Sequence, residues 1–590
     1  MSQRLFVQPV VWLSCCAVAL VGCSQGPATP TGLAVGLGYS SEAVLDDQPY
    51  AGNPVAAFDL KSTGAPDVHG TFSVEDFKGT QNNLGYTHES ANGFRAYLQN
   101  WFTPNFIYRD GGVGAWAFHD VDGGDNWDRW TYNGVDYGID GVLACFHSSH
   151  GGMSTTGLYS TSLGTDWANR GWDARSDLMT MGGNAGSVLG DERLRYMFWD
   201  TCQSVKWSGG INPYTTWGPR ASGVRMIFGY DTNTVDSPSY GKFFWEEWNK
   251  GKSLTYAFLD ASWRISHGQS PCVVAFGDTE SEALNRRDNE RLMEWPAVLN
   301  TWGAWRYYYN AKSAGGGKSR DLAPGEVPSQ VAQYHVEVLG SANAQFETLA
   351  EAVGIRVADE RMIQDRPFGL RAVKTADSTL LMEPDGDFEL SFERSGEVKG
   401  AAPVADDLDL EESARQIVDQ FGLAGDQEYE LGSVRYLAES SASAAGDLAE
   451  TRIVEKTVVF DQVLEGLAFV DPDAGHLELT FDASSAEPLR IRGTIRHVLP
   501  DYEKAVTVAP SRNLDELRQI ALATFTPPPV PDQHGQAAQL ERLEIVPSSE
   551  QLGYRMIDGK ATPVYRVLLQ SPDYPAAKMH EAIVPLAATE

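Results

Sequence analysis

Between about Asn53 and Tyr309, short and nearly unbroken apolar runs alternate with amphipathic stretches. Gly114–His119, Gly141–His147, Leu194–Trp199, Gly223–Tyr230 and Cys272–Gly277 read as strands; Gly93–Trp101, Ser239–Lys250 and Ser253–Ile265 read as helices. In the last of these, Leu254, Ala257, Phe258, Ala261 and Ile265 recur at helical spacing on one face. Strands apolar throughout, separated by helices, predict an α/β fold with a mostly parallel sheet covered on both faces. In such sheets the working residues gather beyond the carboxyl ends of the strands.

The pattern changes near residue 310. The Gly-, Ser- and Lys-rich stretch 311–326 reads as a linker. Beyond it, a helical pattern at Leu410–Phe421 is followed by alternating runs at Thr451–Asp461, Leu464–Asp471, Leu477–Asp482 and Leu489–His497. A second helix at Asn513–Thr524 precedes runs at Leu543–Pro547, Gly553–Ile557 and Val564–Leu569, and Tyr334–Leu339 with Ala344–Val353 suggests an earlier unit. These predict small α+β modules with antiparallel strands, over residues 327–400, 401–500 and 501–590. Pro527–Pro531 is a stiff connection between them.

The N-terminus has its own pattern. Arg4 precedes an apolar stretch, Leu5–Val21, that closes on Leu20-Val21-Gly22-Cys23. This resembles a bacterial lipoprotein signal, which implies removal of residues 1–22 and lipid on Cys23. An ordinary secretory signal or a short anchor helix is the alternative. Ser24 stands where an Asp favours inner-membrane retention in Gram-negative lipoproteins, so for a Gram-negative source the resemblance implies export to the outer membrane, with the protein held at its periplasmic or outer face. Residues 23–50 then form a flexible tether, and 51–310 the α/β domain.

Composition sharpens this division. All 16 Trp lie at or before Trp305 and all six Cys at or before Cys272. Of the net charge of −33, residues 311–590 contribute −22, with 47 acids against 25 bases. So acidic a chain repels phosphate backbones, which disfavours nucleic-acid partners. The Trp are more simply core residues than sugar-stacking platforms. With Cys15 and Cys16 in the signal and Cys23 lipidated, Cys145, Cys202 and Cys272 remain. They are either three small buried apolar residues or a set containing one working thiol.

Two strand ends stand out. One reads Val142-Leu-Ala-Cys-Phe-His-Ser-Ser-His150-Gly151-Gly152; the other reads Leu194-Arg-Tyr-Met-Phe-Trp-Asp-Thr-Cys202. Neighbouring parallel strands would bring His150 and Cys202 to one crevice, and the glycines let backbone approach a substrate carbonyl. This arrangement resembles the caspase-like clan of cysteine peptidases, including caspases, legumain, gingipain and clostripain, whose pattern is apolar strand-His-Gly and then apolar strand-Cys. It is also similar to a family of uncharacterised caspase-like secreted proteins. Here Ser149 replaces the Gly before the His, and Asp200-Thr201 replaces an acidic or small residue plus Ala. The resemblance implies an endopeptidase acting on peptides or proteins. Cys202 would be the nucleophile, His150 the acid/base, and the backbone N–H groups of Gly151 and Cys202 the oxyanion donors. Such a peptidase needs a reachable Cys202 close to His150. A catalytically inactive caspase-fold lipoprotein, serving as a binding or scaffold module, predicts instead a buried thiol or a disulfide with Cys145 or Cys272.

Weaker signals remain. His147 and His150 are spaced as a metal pair, but on an extended strand they face opposite ways. Asp120, Asp122, Asp125 and Asp128 lie in a Gly-rich loop that suits Ca²⁺ or is simply an acidic turn, and no other cofactor is indicated. Asp231, past the Gly223–Tyr230 run, is placed to attract a basic side chain, though an acidic turn residue explains it more simply. Val458–Val470 and Leu477–Asp482 resemble the PepSY-type modules of peptidase propeptides, which implies an inhibitory, chaperone or docking role; a generic acidic domain is the alternative.

Overall fold

The structure is a computed structural model. It describes residues 68–77, 83–118, 128–164, 189–292, 296–310, 327–337, 347, 349–351, 363–365, 370–375, 377–392, 406–498, 505–524, 543–572 and 577–587. The signal, Cys23, the tether, the 311–326 linker and Pro527–Pro531 lie outside these, as does most of Ala344–Val353. Among the described residues no helix is long and apolar enough to cross a membrane.

Among the described residues, the α/β part gives seven strands to the large sheet: β1 (His69–Ser73), β2 (Phe106–Arg109), β3 (Ala144–Ser148), β4 (Tyr196–Asp200), β5 (Met226–Tyr230), β6 (Pro271–Gly277) and β7 (Trp302–Asn310). Their order across the sheet is β2-β1-β3-β4-β5-β6-β7. The first five are parallel, whereas β6 and β7 are antiparallel to their neighbours. This part of the sheet is therefore mostly parallel, and its two antiparallel strands make the large sheet as a whole a mixed one. One reason lies in the connections. A single crossover returns the chain to the start of the sheet, but β5 and β6 are joined by two helices, α2 (Tyr240–Asn249) and α3 (Leu254–Trp263). The second helix brings the chain back to the end it left.

Every residue of β3, β4 and β5 is buried, as their unbroken apolar pattern requires. Phe146, Phe198 and Phe228 pack on one face, under α1 (Thr87–Leu98), α2 and α3. The Phe198 and Phe228 rings stack at 4.2 Å, and Phe94 of α1 sits 5.0 Å from both Phe146 and Phe198. Their strand neighbours His147 and Trp199 point to the opposite face, where their rings meet at 5.5 Å among Phe72, Phe118, Tyr159 and Trp217. Helices α1 and α2 touch closely because Gly241 has no side chain; a Cβ there would come within 2.1 Å of the Phe94 nitrogen.

Within the expected strand Gly114–His119, residues Ala115–Phe118 form a 3₁₀ turn instead. Phe118 is drawn into the aromatic cluster, 4.4 Å from Phe72, so its apolar character serves packing rather than pairing. The antiparallel strands beyond residue 327 do not all form separate modules. Glu428–Ser443 pairs with β7 over nine positions, from Trp302↔Ser443 to Asn310↔Arg435. Arg452–Leu464, His476–Asp482, Pro488–Gly493 and the strands of 363–392 extend that sheet further. A second sheet gathers Gln330–Glu337, Ala505–Pro510, Gln551–Ile557, Lys560–Gln570 and His580–Pro585. A buried ionic layer reinforces the join: Lys252 meets Glu247 at 2.6 Å, Asp260 at 2.8 Å and Glu389 at 2.7 Å, while Arg490 meets Asp260 at 2.7 Å.

Candidate active site

Strands β3 and β4 end together, with Ser148 opposite Asp200 in the parallel register. Ser149 N–H donates to the Asp200 carbonyl at 3.4 Å, and the two chains then part. His150 and Cys202 each lie two residues beyond this last matched pair. This shared end, where both residues are buried, follows directly from two apolar strands pairing in register. Gly151 presses against it: a Cβ there would lie 2.9 Å from the Cys202 oxygen and 3.0 Å from Tyr159 Oη. Gln203, just after the Cys, takes a left-handed φ of 54°, uncommon for a residue with a side chain and frequent at functional turns.

His150 is 2% exposed, and its ring lies 4.9 Å from Phe77. Its carbonyl accepts from Ser162 N–H at 3.0 Å and Thr161 Oγ1 at 2.9 Å. Its Nδ1 accepts the backbone N–H of Lys578 at 3.0 Å. A backbone N–H only donates, so Nδ1 carries no proton in this arrangement. Phe77 is placed by a brace at the end of β1: Ser73 Oγ lies 2.8 Å from His88 Nδ1, His88 Nε2 lies 3.0 Å from Asp110 Oδ2, and Asp110 Oδ1 accepts from the nitrogens of Glu75 and Asp76.

Cys202 is fully buried, contrary to the exposure a working thiol requires, and it is a free cysteine, as are Cys145 and Cys272. Its sulfur accepts Thr234 N–H at 3.2 Å and lies 3.6 Å from Thr234 Oγ1. Burial pushes the thiol up to about 11, against the lowering effect of those hydrogen bonds and of the Lys578 charge. In this state it is a thiol, not a thiolate.

The cover comes from the far end of the chain. Met579 N–H donates to the Thr234 oxygen at 2.9 Å, and Asp236 N–H donates to the Met579 oxygen at 2.8 Å, so the two segments form one isolated parallel bridge, Val235↔Met579. One residue earlier, the Lys578 side chain is fully buried. Its Nζ lies 2.8 Å from Asp200 Oδ1, 3.3 Å from Ser148 Oγ and 5.4 Å from the Tyr240 ring centre. Asp200 Oδ2 accepts from Ser148 Oγ at 2.6 Å and Ser90 Oγ at 3.0 Å. Sequence reasoning missed Asp200, Ser148, Ser90 and Lys578 as a group. Asp200-Thr-Cys was visible as a motif, but nothing in its sequence marks Lys578 as different from a surface lysine.

Other candidates fall elsewhere. Asp231 gives its carboxylate to the nitrogens of Trp207 and Ser208, both at 2.9 Å, and so serves its own loop rather than a basic ligand. His147 bonds Thr161 Oγ1 at 2.9 Å, and burial lowers its pKa to about 3. Asp120, Asp122 and Asp125 lie outside the described residues. Asp128 joins Asp140 and Glu192 instead, with one oxygen of each within 4.8 Å of the others. An all-oxygen set of this kind suits a hard divalent cation such as Ca²⁺. Burial, with Asp128 beside it, holds Asp140 well above the ordinary carboxylate range, although Asp140 also takes the Gly190 and Leu194 N–H groups. A cavity bordered by Val235, Asp236, Arg264, Asp473, Arg555 and Glu581 lies beside the Val235↔Met579 bridge, and neither Cys202 nor His150 lines it.

The fold and crevice define an α/β protein with a His and a Cys on adjacent parallel strand ends. A family model described as a domain of unknown function (DUF6345) matches residues 71–300, less than half of the chain. The match spans His150 and Cys202 but not Lys578. No curated protein matches the chain.

Proposed function

We propose that the α/β part is a caspase-like cysteine endopeptidase whose Cys202–His150 pair cleaves peptide bonds. The observation that carries this reading is the crevice: a thiol and an imidazole at neighbouring strand ends, beside an edge, Thr234–Asp236, that pairs with extended backbone. The parallel run β2-β1-β3-β4-β5 puts both strand ends at the carboxyl edge of an α/β sheet, where this reading needs them. Backbone hydrogen bonding to an extended segment is a general mode of peptide recognition.

The chemistry follows from the pair. Once the crevice opens, Cys202 passes its proton to His150 and attacks the substrate carbonyl, forming a C–S bond. The Gly151 and Cys202 N–H groups stabilise the oxyanion. The C–N bond breaks as His150 returns the proton to the leaving amine, giving a thioester and a free amine. Water, deprotonated by His150, then breaks the thioester to a carboxylic acid, and the thiol regains its proton. On this reading the N-terminal pattern makes the protein an exported lipoprotein anchored through Cys23.

A second reading has the burial of Cys202 in its favour: a closed binding module with an inert thiol. Cleavage of a peptide library by a Lys578→Ala chain separates the two. The peptidase reading expects turnover that Cys202→Ala and His150→Ala each abolish. Turnover unchanged by Cys202→Ala, or none in a folded chain whose Cys202 is freely alkylated, sinks it.

A further inference from the structure

We propose that Ala577–His580 is a resident self-ligand of the Cys202–His150 crevice, and that the crevice takes an extended peptide carrying a lysine side chain, with Asp200 as the residue that selects it. The inference deepens the peptidase reading and rests on it for turnover, though not for binding.

Three independent contacts define the occupant. Its backbone adds to Thr234–Asp236 through two hydrogen bonds, of 2.9 and 2.8 Å, in the manner of a bound peptide. Its Lys578 N–H engages Nδ1 of His150. Its ammonium fills a closed pocket whose polar walls are Asp200 and Ser148, with Tyr240 offering a ring face. A continuous path of contacts thus runs from His150 through Lys578, Met579 and Thr234 to the Cys202 sulfur.

The pocket is built for a cation. Asp200 is buried at the end of β4, where an unpaired carboxylate is costly, and Ser148 and Ser90 both direct hydroxyls at its Oδ2, leaving Oδ1 for the ammonium. An apolar or acidic side chain would leave that charge without a counter-ion. The occupant comes from outside the stretch matched by the family model, so the pocket belongs to the matched domain and the plug to another part of the chain. A substrate and the segment compete for the same backbone edge, the same imidazole nitrogen and the same carboxylate.

The test uses the full chain and a fluorescent peptide, Ala-Ala-Lys-Met-His, read by anisotropy. The Lys578→Ala chain is expected to bind it at least tenfold more tightly than wild type. Asp200→Asn added to Lys578→Ala abolishes the gain, and a peptide with Glu for Lys does not bind. Met579→Pro, which removes the N–H given to Thr234 while leaving Lys578 and Asp200 intact, provides a second route to an open crevice should Lys578→Ala not fold. It is expected to raise the alkylation rate of Cys202 at least tenfold, and Lys578→Arg to leave that rate near wild type. Equal binding by wild type and by a folded opened chain, or binding indifferent to Asp200, overturns the proposal. Tight Lys-dependent binding without any cleavage upholds the self-ligand and instead refutes the peptidase reading.

Discussion

Lys578 and Asp200, 378 residues apart in the chain, meet at 2.8 Å with 0% and 2% of their side chains exposed. This pair fastens the C-terminal segment to the end of β4. Removing one partner of a buried ion pair strands the other charge, which costs about 3–5 kcal/mol. Lys578→Ala is therefore expected to lower the denaturant midpoint markedly, and Lys578→Met combined with Asp200→Asn to recover most of the loss. Equal destabilisation by the single and double variants would show that the charge pairing contributes little.

With its pKa near 11, roughly one Cys202 in ten thousand is ionised at pH 7 in the closed state. Pulsed alkylation followed by mass spectrometry is expected to find Cys202 unreactive at pH 7. The rate then rises about tenfold per pH unit up to the pKa. A plateau reached near pH 8 would contradict the burial of the thiol.

Gly151 tolerates no side chain. A Cβ would meet the Cys202 oxygen and Thr201 Cβ at 2.9 Å each, and relieving such overpacking costs about 1–3 kcal/mol. Gly151→Ala is expected to lower Tm by several degrees and to displace Cys202 relative to His150. In an opened chain, peptide cleavage then falls more than peptide binding. An unchanged Tm counts against the close approach of the two strand ends.

Acid acts on the buried histidines. His147, lowered to about 3 by burial and the nearby Lys578 charge, stays neutral in the fold but takes a proton near 6.5 once unfolded. Its stabilising effect is complete above pH 6.5 and is lost as pH falls toward 3, at up to about 1.4 kcal/mol per pH unit. His69, lowered to about 3 by burial and the Arg95 charge, adds to it. His147→Phe is expected to flatten the dependence of unfolding free energy on pH between 6 and 4 by one proton's worth. An unaltered slope would mean that the ring is charged in the fold.

Lys252 lies where the two sheet regions join, within 2.8 Å of Glu247, Asp260 and Glu389. Lys252→Met leaves three carboxylates clustered, of which Asp260 keeps Arg490 and Glu247 keeps Arg264. It is expected to destabilise by about 3–5 kcal/mol. Because β7 and Glu428–Ser443 share a ladder, calorimetry should show these strands melting in one transition. Two separated transitions, with only one shifted by Lys252→Met, would place the halves in independent units.

The local pattern made β3 to β6 and their helices legible, because strands buried on both faces must be apolar throughout and their helices amphipathic. Strand polarity was less legible, since it depends on how many helices cross between strands and not on any strand's own residues. Glu428–Ser443, the longest strand, is mixed in polarity, and its exposure changes along its length. No regular alternation therefore marks it, and only its partners decide its place.

The chain itself placed His150 and Cys202 just past the ends of two apolar strands, because the length of each apolar run fixes where its strand stops; the sheet decided that the two strands are neighbours. The reading of Trp as core holds for Trp199, Trp217, Trp245, Trp248 and Trp263, which are fully buried. Tertiary structure alone decided that the crevice is closed. Lys578 reads as one lysine in an acidic half, and becomes a buried counter-ion only when the second sheet carries it to Asp200. Pairing between residues so distant is chosen by the matching of charge and backbone edges after the fold assembles, and that matching leaves no periodic trace in the sequence.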